Sequence, residues 1–214
     1  MGRSVIRDRF AGRILGAGTR SGLRLVVGDW ARSPLGAFTD VMVALPSGRR
    51  LLLAPSEAVA DYVTATYSFD DVVRAPVAVR ESTGRGVGAG GVRGWGVDAG
   101  PLQVELTLGP RTAVGWLLRA VPGPVATSTP FATLADPIAR RVYPGVRTRG
   151  TAGGGRREYY GARDQHAVVA LAGTWEGEDL GPLADVDPPP DFGFSSTPAR
   201  PCLTQVVTTV VRGE

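Results

Sequence analysis

The 214-residue chain has no lysine, one cysteine, one histidine and two methionines. Without lysine, no side chain can form an imine with a carbonyl compound, because the guanidinium of arginine stays protonated and is a poor amine nucleophile. A single cysteine, Cys202, excludes an intrachain disulfide and a thiolate zinc cluster, and it is expected to pack as a small apolar group. The lone histidine, His166, and scattered carboxylates give no metal-ligand spacing, so neither a metal nor another cofactor is expected. Long apolar runs are also missing. Leu25–Val27 and Leu51–Ala54 fall far short of the roughly 20 residues that cross a bilayer. The opening MGRSVIRDRF mixes charges where a signal peptide is apolar. These features lead to the expectation of a soluble, cytoplasmic chain with no membrane partner.

At 43% hydrophobic content the chain suits one compact domain over residues 1–214. The net charge is +4, and all 24 basic residues are arginine. They are spread along the chain, and no recognition helix, zinc finger or aromatic RNA-reading pattern accompanies them, so nucleic acid is not an expected partner.

What is present is β patterning. Short apolar or alternating runs between Gly/Pro-rich breaks predict strands at Gly12–Ala17, Gly22–Gly28, Ala37–Leu45, Arg50–Ala54, Val72–Arg80, Val92–Val97, Leu102–Leu108, Arg163–Trp175 and Cys202–Val211. Nine strands of this length point to a barrel or sandwich. Leu102, Val104, Leu106 and Leu108 alternate with Gln103, Glu105 and Thr107, the clearest period-two pattern in the chain. Pro46, Ser47 and Gly48 read as a hairpin turn. Two helices are expected. One follows Ser56 as N-cap, with Val59, Tyr62 and Val63 on one stripe. The other spans residues 130–143, where Pro137 should start, kink or divide it. Ser82–Gly94 reads as a flexible connection between strands. Asp185–Pro201 has too many prolines for regular structure, and Phe192 and Phe194 are its candidate anchors.

GAFTD at Gly36–Asp40, YSFDDVVRAPV at Tyr67–Val77, VDAGPLQVELTLGPRT at Val97–Thr112 and WLLRAVPG at Trp116–Gly123 follow one another in an order that resembles the acetoacetate decarboxylase superfamily. The resemblance implies a mainly β fold, a curved antiparallel barrel or double-sheet cone around a cavity with a few flanking helices, usually as a homo-oligomer. It also implies an imine-forming lysine near Ser68–Asp71, where this chain has acids and a hydroxyl. The family acid falls on Asp40. A second family carboxylate falls near Leu25–Val27, which are apolar.

Asp40 is therefore the first candidate catalytic group, with a structural partnership to backbone or arginine as its alternative. On strand Ala37–Leu45 both faces are apolar, so Asp40 should be buried with a partner from Arg74, Arg80 or the Arg157–His166 segment. His166 is the second candidate, as a general base or a structural histidine; Asp164 shares its strand face two residues away. Arg74, Arg80 and Arg163 are candidates to hold a substrate carboxylate, and Glu105, Tyr67, Trp116 and Tyr160 to line its pocket. Two function classes remain open. One is an enzyme of lyase or isomerase type acting on a carbonyl or carboxylate compound by acid–base chemistry at an enol or enolate, without a Schiff base. The other is a non-catalytic pocket for a small apolar or acidic metabolite.

Overall fold

The computed structural model describes residues 5–83, 93–143, 146–193, 195 and 197–213. The chain is mainly β. It runs β1 Val5–Thr19, β2 Arg24–Arg32, β3 Phe38–Ala44, β4 Arg50–Ala54, α1 Glu57–Thr64, β5 Asp71–Arg74, β6 Ala78–Thr83, β7 Arg93–Ala99 and β8 Leu102–Arg111. It continues with α2 Ala113–Ala120, α3 Gly123–Ala126, α4 Thr129–Val142, β9 Arg149–Thr151, β10 Arg157–Trp175, β11 Glu178–Asp179, β12 Leu183–Ala184 and β13 Cys202–Gly213. One curled sheet has the order β5-β4-β3-β2-β1-β13-β10-β8-β7-β6, with the short β9 and β11 on β10 and β12 on β1. Its pairings are antiparallel except β4 with β5. No helix among the described residues is long and apolar enough to cross a membrane.

The inside of the curl is packed solid. Leu15, Leu25, Val27, Val41 and Val43 from one flank meet Trp95, Val97, Leu102, Val104 and Leu106 from the other in one buried cluster. The alternation of β8 works as its sequence predicts, with Leu102, Val104, Leu106 and Leu108 buried and Gln103 and Glu105 exposed. The opposite face of β1–β4 is apolar too, and α1 covers part of it. Leu52 and Ala54 pack on Val59, Ala60 and Val63, with Phe38, Met42 and Tyr67 beside them. Ser56 caps α1 as expected, accepting from the Val59 N–H. Gly48, at φ 89°, closes the β3–β4 hairpin in a conformation that glycine alone adopts without cost.

Several elements differ from the sequence expectation. The run Val72–Arg80 is not one strand. Pro76 lacks the N–H a ladder needs, and the chain breaks there into β5 and β6, the two opposite edges of the sheet. β1 and β10 begin earlier than expected, at Val5 and Arg157, because each is zipped to β13 along its charged first half. α2 takes in the start of the Trp116–Gly123 run and α3 begins at its end, with Thr112 capping α2 through the Gly115 N–H. α4 continues through Pro137 as one element. It is held at its start by Ser128 and, one residue before the proline, by buried Asp136, which accepts from the Thr148 and Arg149 N–H groups. Most of the Gly-rich connection and Phe194 lie outside the described residues. Phe192 is buried 5.7 Å from the Phe69 ring, and its carbonyl accepts from the Ser68 N–H.

A solid inner core predicts unequal costs for two leucines. Leu25→Ala, at a fully buried inner position, should lose about 3 kcal/mol. Leu134→Ala, 73% exposed on α4, should change stability by no more than about 0.5 kcal/mol. Urea unfolding of the two variants checks this, and similar costs would contradict the packing described.

Candidate functional site

Strand register defines the helix-covered face. Asp40 pairs with Gly28, Gly28 with Ile14, Ile14 with Thr204, and Thr204 with Gln165. One row along, Phe38, Trp30, Gly12, Val206 and Ala162 follow, and then Phe10, Thr208 and Tyr160. Over these rows lies a cavity of about 430 Å³ between the sheet, α2, α4 and the Pro-rich strap after β12. Ile14, Val26, Met42 and Ala162 form its floor; Leu117, Phe131 and Ile138 its roof; Pro190 and Phe192 its strap side.

Asp40 is 2% exposed and accepts from Trp30 Nε1 at 3.1 Å. Its hydrogen-bond partner is thus an indole, not Arg74 or Arg80, while Tyr160 of the expected Arg157–His166 segment is near enough for the Asp40 charge to act on it. Burial pushes its carboxyl up to about 7, opposed by the Trp30 hydrogen bond. Gly28 makes the pair possible, because a Cβ there would lie 2.6 Å from Trp30 Nε1 and 2.7 Å from Asp40 Oδ1.

A second buried carboxyl stands nearby. Glu158, also 2% exposed, receives the Tyr67 hydroxyl at 2.8 Å and lies 3.3 Å from the Tyr160 hydroxyl. The two tyrosine hydroxyls are 2.6 Å apart. Burial raises Glu158 to about 7, against the two tyrosine hydrogen bonds and the charge of Arg156. Burial and the Glu158 charge hold both phenols well above their ordinary range, and Asp40 adds to the shift of Tyr160. Tyr67 and Tyr160 line the cavity; Glu158 and Asp40 stand behind that lining.

The lining also carries polar side chains. Gln165 Oε1 accepts from Thr112 Oγ1 at 2.8 Å and from the Tyr143 hydroxyl at 2.9 Å. Arg147 Nε and Thr197 Oγ1, both on lining residues, are buried without a hydrogen-bond partner; Arg147 Nε is 3.8 Å from Asp136 Oδ1. Buried unpaired donors are rare in native proteins and mark places where another group belongs.

The other residues singled out from the sequence are dispersed. His166 sits on the opposite face of the sheet from Asp40, with Nδ1 3.3 Å from the Gly109 carbonyl and Nε2 3.8 Å from Asp164 Oδ2. Asp164 takes both arms of Arg111, at 2.7 and 3.0 Å. Burial alone would raise its carboxyl, but the Arg111 and Gln165 hydrogen bonds outweigh it and hold the carboxyl below its usual value. Trp116 is exposed beneath the Arg111 guanidinium, 4.5 Å from ring centre to Cζ. Arg74 pairs with Glu57, and Arg80 with Glu105, all on the exposed surface. Arg163 is exposed on the far side of β10. Of the candidate set, the structure brings together Tyr67, Tyr160 and, behind them, Asp40.

Tyr143, Arg147 and Thr197 were not singled out, and Glu158 and Gln165 entered only as members of the polar Arg157–His166 segment. For Glu158 a signal existed, since Glu158, Tyr160 and Ala162 alternate with charged or small residues. No family model, curated protein or solved structure matches the chain.

Two outcomes follow from this geometry. Gly28→Ala should cost about 1–3 kcal/mol through the overpacked Trp30–Asp40 contact, read by denaturant titration; wild-type stability would show the contact to be loose. The second concerns pH. An unfolded chain releases the Glu158 proton near 4.5, whereas the folded chain keeps it to about 7. Between those values the native state binds more protons, so stability falls as pH rises from about 5 to 7.5 and then levels off. Asp40 acts with the same sign. Each group contributes up to about 3–4 kcal/mol, so Glu158→Gln should roughly halve the decline. An unchanged slope in the variant would contradict this.

Proposed function

We propose that the protein binds a small, mostly apolar organic molecule ending in a carbonyl or carboxylate group, and acts on it by acid–base chemistry at an enol or enolate. The observation that carries this reading is the apolar cavity of about 430 Å³ whose lining residues include Arg147 and Thr197, with Nε and Oγ1 buried and making no hydrogen bond, the Arg147 Nε held only by a loose ion pair to Asp136. Its volume suits a small ligand. A guanidinium N–H without an acceptor calls for an anionic or carbonyl oxygen. Leu117, Ile138 and Val142 are exposed apolar residues of the same lining and supply an apolar entrance between α2 and α4.

In this proposal the Tyr160 hydroxyl donates to the carbonyl oxygen and stabilises negative charge developing there, while Tyr67 takes the proton leaving the neighbouring carbon as it passes its own hydroxyl proton to the Glu158 carboxylate. Glu158, titrating near pH 7, stores or returns a proton behind them. Pairing a phenol with a carboxyl kept neutral by burial is a known way to stabilise an enolate without an amine. The proposal keeps the resemblance to the acetoacetate decarboxylase superfamily, as a divergent member lacking the imine-forming lysine. It also keeps a homo-oligomer, supported by exposed Trp116 and Val125 on the helices that follow β8. A second reading, non-catalytic binding, is favoured by one observation: neither Glu158 nor Asp40 lines the cavity, so no carboxylate touches its contents.

Native mass spectrometry of the purified protein should reveal a bound small molecule. Arg147→Gln should weaken its retention about tenfold or more, the effect of losing one charge-assisted hydrogen bond. Tyr160→Phe should keep the ligand but abolish turnover; undiminished turnover in that variant would remove the enolate mechanism and leave the binding role. Borohydride reduction with a β-keto acid should label no side chain, and an adduct on any internal residue would overturn the mechanism.

A further inference from the structure

On the face of β1 away from the cavity, a groove of about 1160 Å³ runs between the open end of the sheet and the segment that joins α3 to α4. Its floor is small. Ala11 pairs with Val207, and Val207 with Gly161. A Cβ on Gly161 would lie 2.7 Å from the Ala126 carbonyl oxygen, so the glycine lets α3 approach the strand and form one wall. Four arginines surround this floor. Arg7 and Arg9 are two residues apart on one face of β1, Arg32 lies opposite Ala11 on β2, and Arg163 is ejected by the bulge between Ala162 and Asp164.

These four share one concavity and have no partners there, whereas Arg13 holds Asp29 and Glu81, Arg111 holds Asp164, and Arg212 holds Asp8. Among the described residues, Arg7, Arg9, Arg32 and Arg163 have neither an ion pair nor a side-chain hydrogen bond, and no carboxylate lines the groove. Four like charges around one concavity repel one another unless an anion sits among them. Guanidinium forks match the paired oxygens of phosphate groups. The start of the 14-residue α4 adds its N-terminal dipole and the Ser128 and Thr129 side chains on the opposite wall. The floor of Ala11 and Val207 has apolar area for an organic moiety.

We propose that this groove binds a small ligand carrying a pyrophosphate or two phosphate groups, such as a nucleoside diphosphate. The inference is independent of the cavity on the other face. Isothermal titration of the full chain with sodium pyrophosphate and with ADP tests it, with inorganic phosphate and a 20-nucleotide single-stranded DNA as comparison arms. Pyrophosphate and ADP should bind at least tenfold more tightly than phosphate. Arg9→Gln and Arg163→Gln should each weaken them about tenfold, and the double variant about a hundredfold. Arg49→Gln, on a surface ion pair with Asp71, should change neither. Because neither groove arginine has a partner to lose, both single variants should melt at the wild-type temperature without ligand. Pyrophosphate should raise that temperature in the wild type and fail to do so in the double variant. Failure of pyrophosphate and ADP to bind at millimolar concentration would overturn the proposal, as would equal binding by the variants. Tighter binding of the oligonucleotide than of ADP would overturn it in favour of a nucleic-acid surface.

Discussion

The rest of the structure depends on a sheet that is apolar on both faces through β2 and β3. Leu25, Val27, Val41 and Val43 point into the curl, while Val26, Met42 and Phe38 point outward. A sheet with one polar face can leave that face in water; this one cannot. The curl closes over the first face and fills itself. The second face must be covered by something other than strands, and α1, α2, α4 and the Pro-rich strap supply the cover. A filled inner core leaves space for an apolar ligand where this second cover is imperfect, between sheet and helices.

The same constraint sets the electrostatics. Any acid on the outward face of β3 or β10 is buried with whatever polar groups neighbouring rows provide. For Asp40 that group is Trp30 Nε1; for Glu158 it is a pair of tyrosine hydroxyls. Neither has an arginine as a direct partner, in a chain with 24 of them. Neutral donors offset only part of the desolvation cost, so both carboxyls move up to about 7. Asp164 shows the contrast. With both arms of Arg111 on it, its carboxyl is held low.

Much of the fold was legible because it rests on period and punctuation. The alternation of Leu102–Leu108, the Ser56 cap and the Gly48 turn each act within a few residues, and each is found as read. The double-sided burial of β3 was legible as well, and with it the burial of Asp40. Its partner was not, since Trp30 reaches Asp40 only through the β2–β3 register and the vacancy at Gly28. Arg147 and Thr197 were beyond reach for a related reason: each sits in irregular chain whose position is fixed by distant helices and by strand β1, against which Thr197 packs at Gly16. Pro76 was visible in the sequence, but not that the chain beyond it would cross to the far edge of the sheet.

The decisive irregularity is the bulge in β10 after Ala162. Strict alternation from Glu158 and Tyr160 through Ala162 would place Asp164 next on the cavity side. One extra residue reverses the phase, as bulges do. Gln165 instead pairs with Thr204 and faces the cavity, where its amide serves Thr112 and Tyr143. Asp164 turns to the other face and meets Arg111 and His166, while the unmatched Arg163 swings into the arginine groove. A single inserted residue thus keeps a third buried acid off the helix-covered face of the sheet and gives the groove its fourth guanidinium. It also explains why His166 and Asp40 lie on opposite faces: the polar cluster around Arg157–His166 is one run in sequence, but the bulge divides it between two sites.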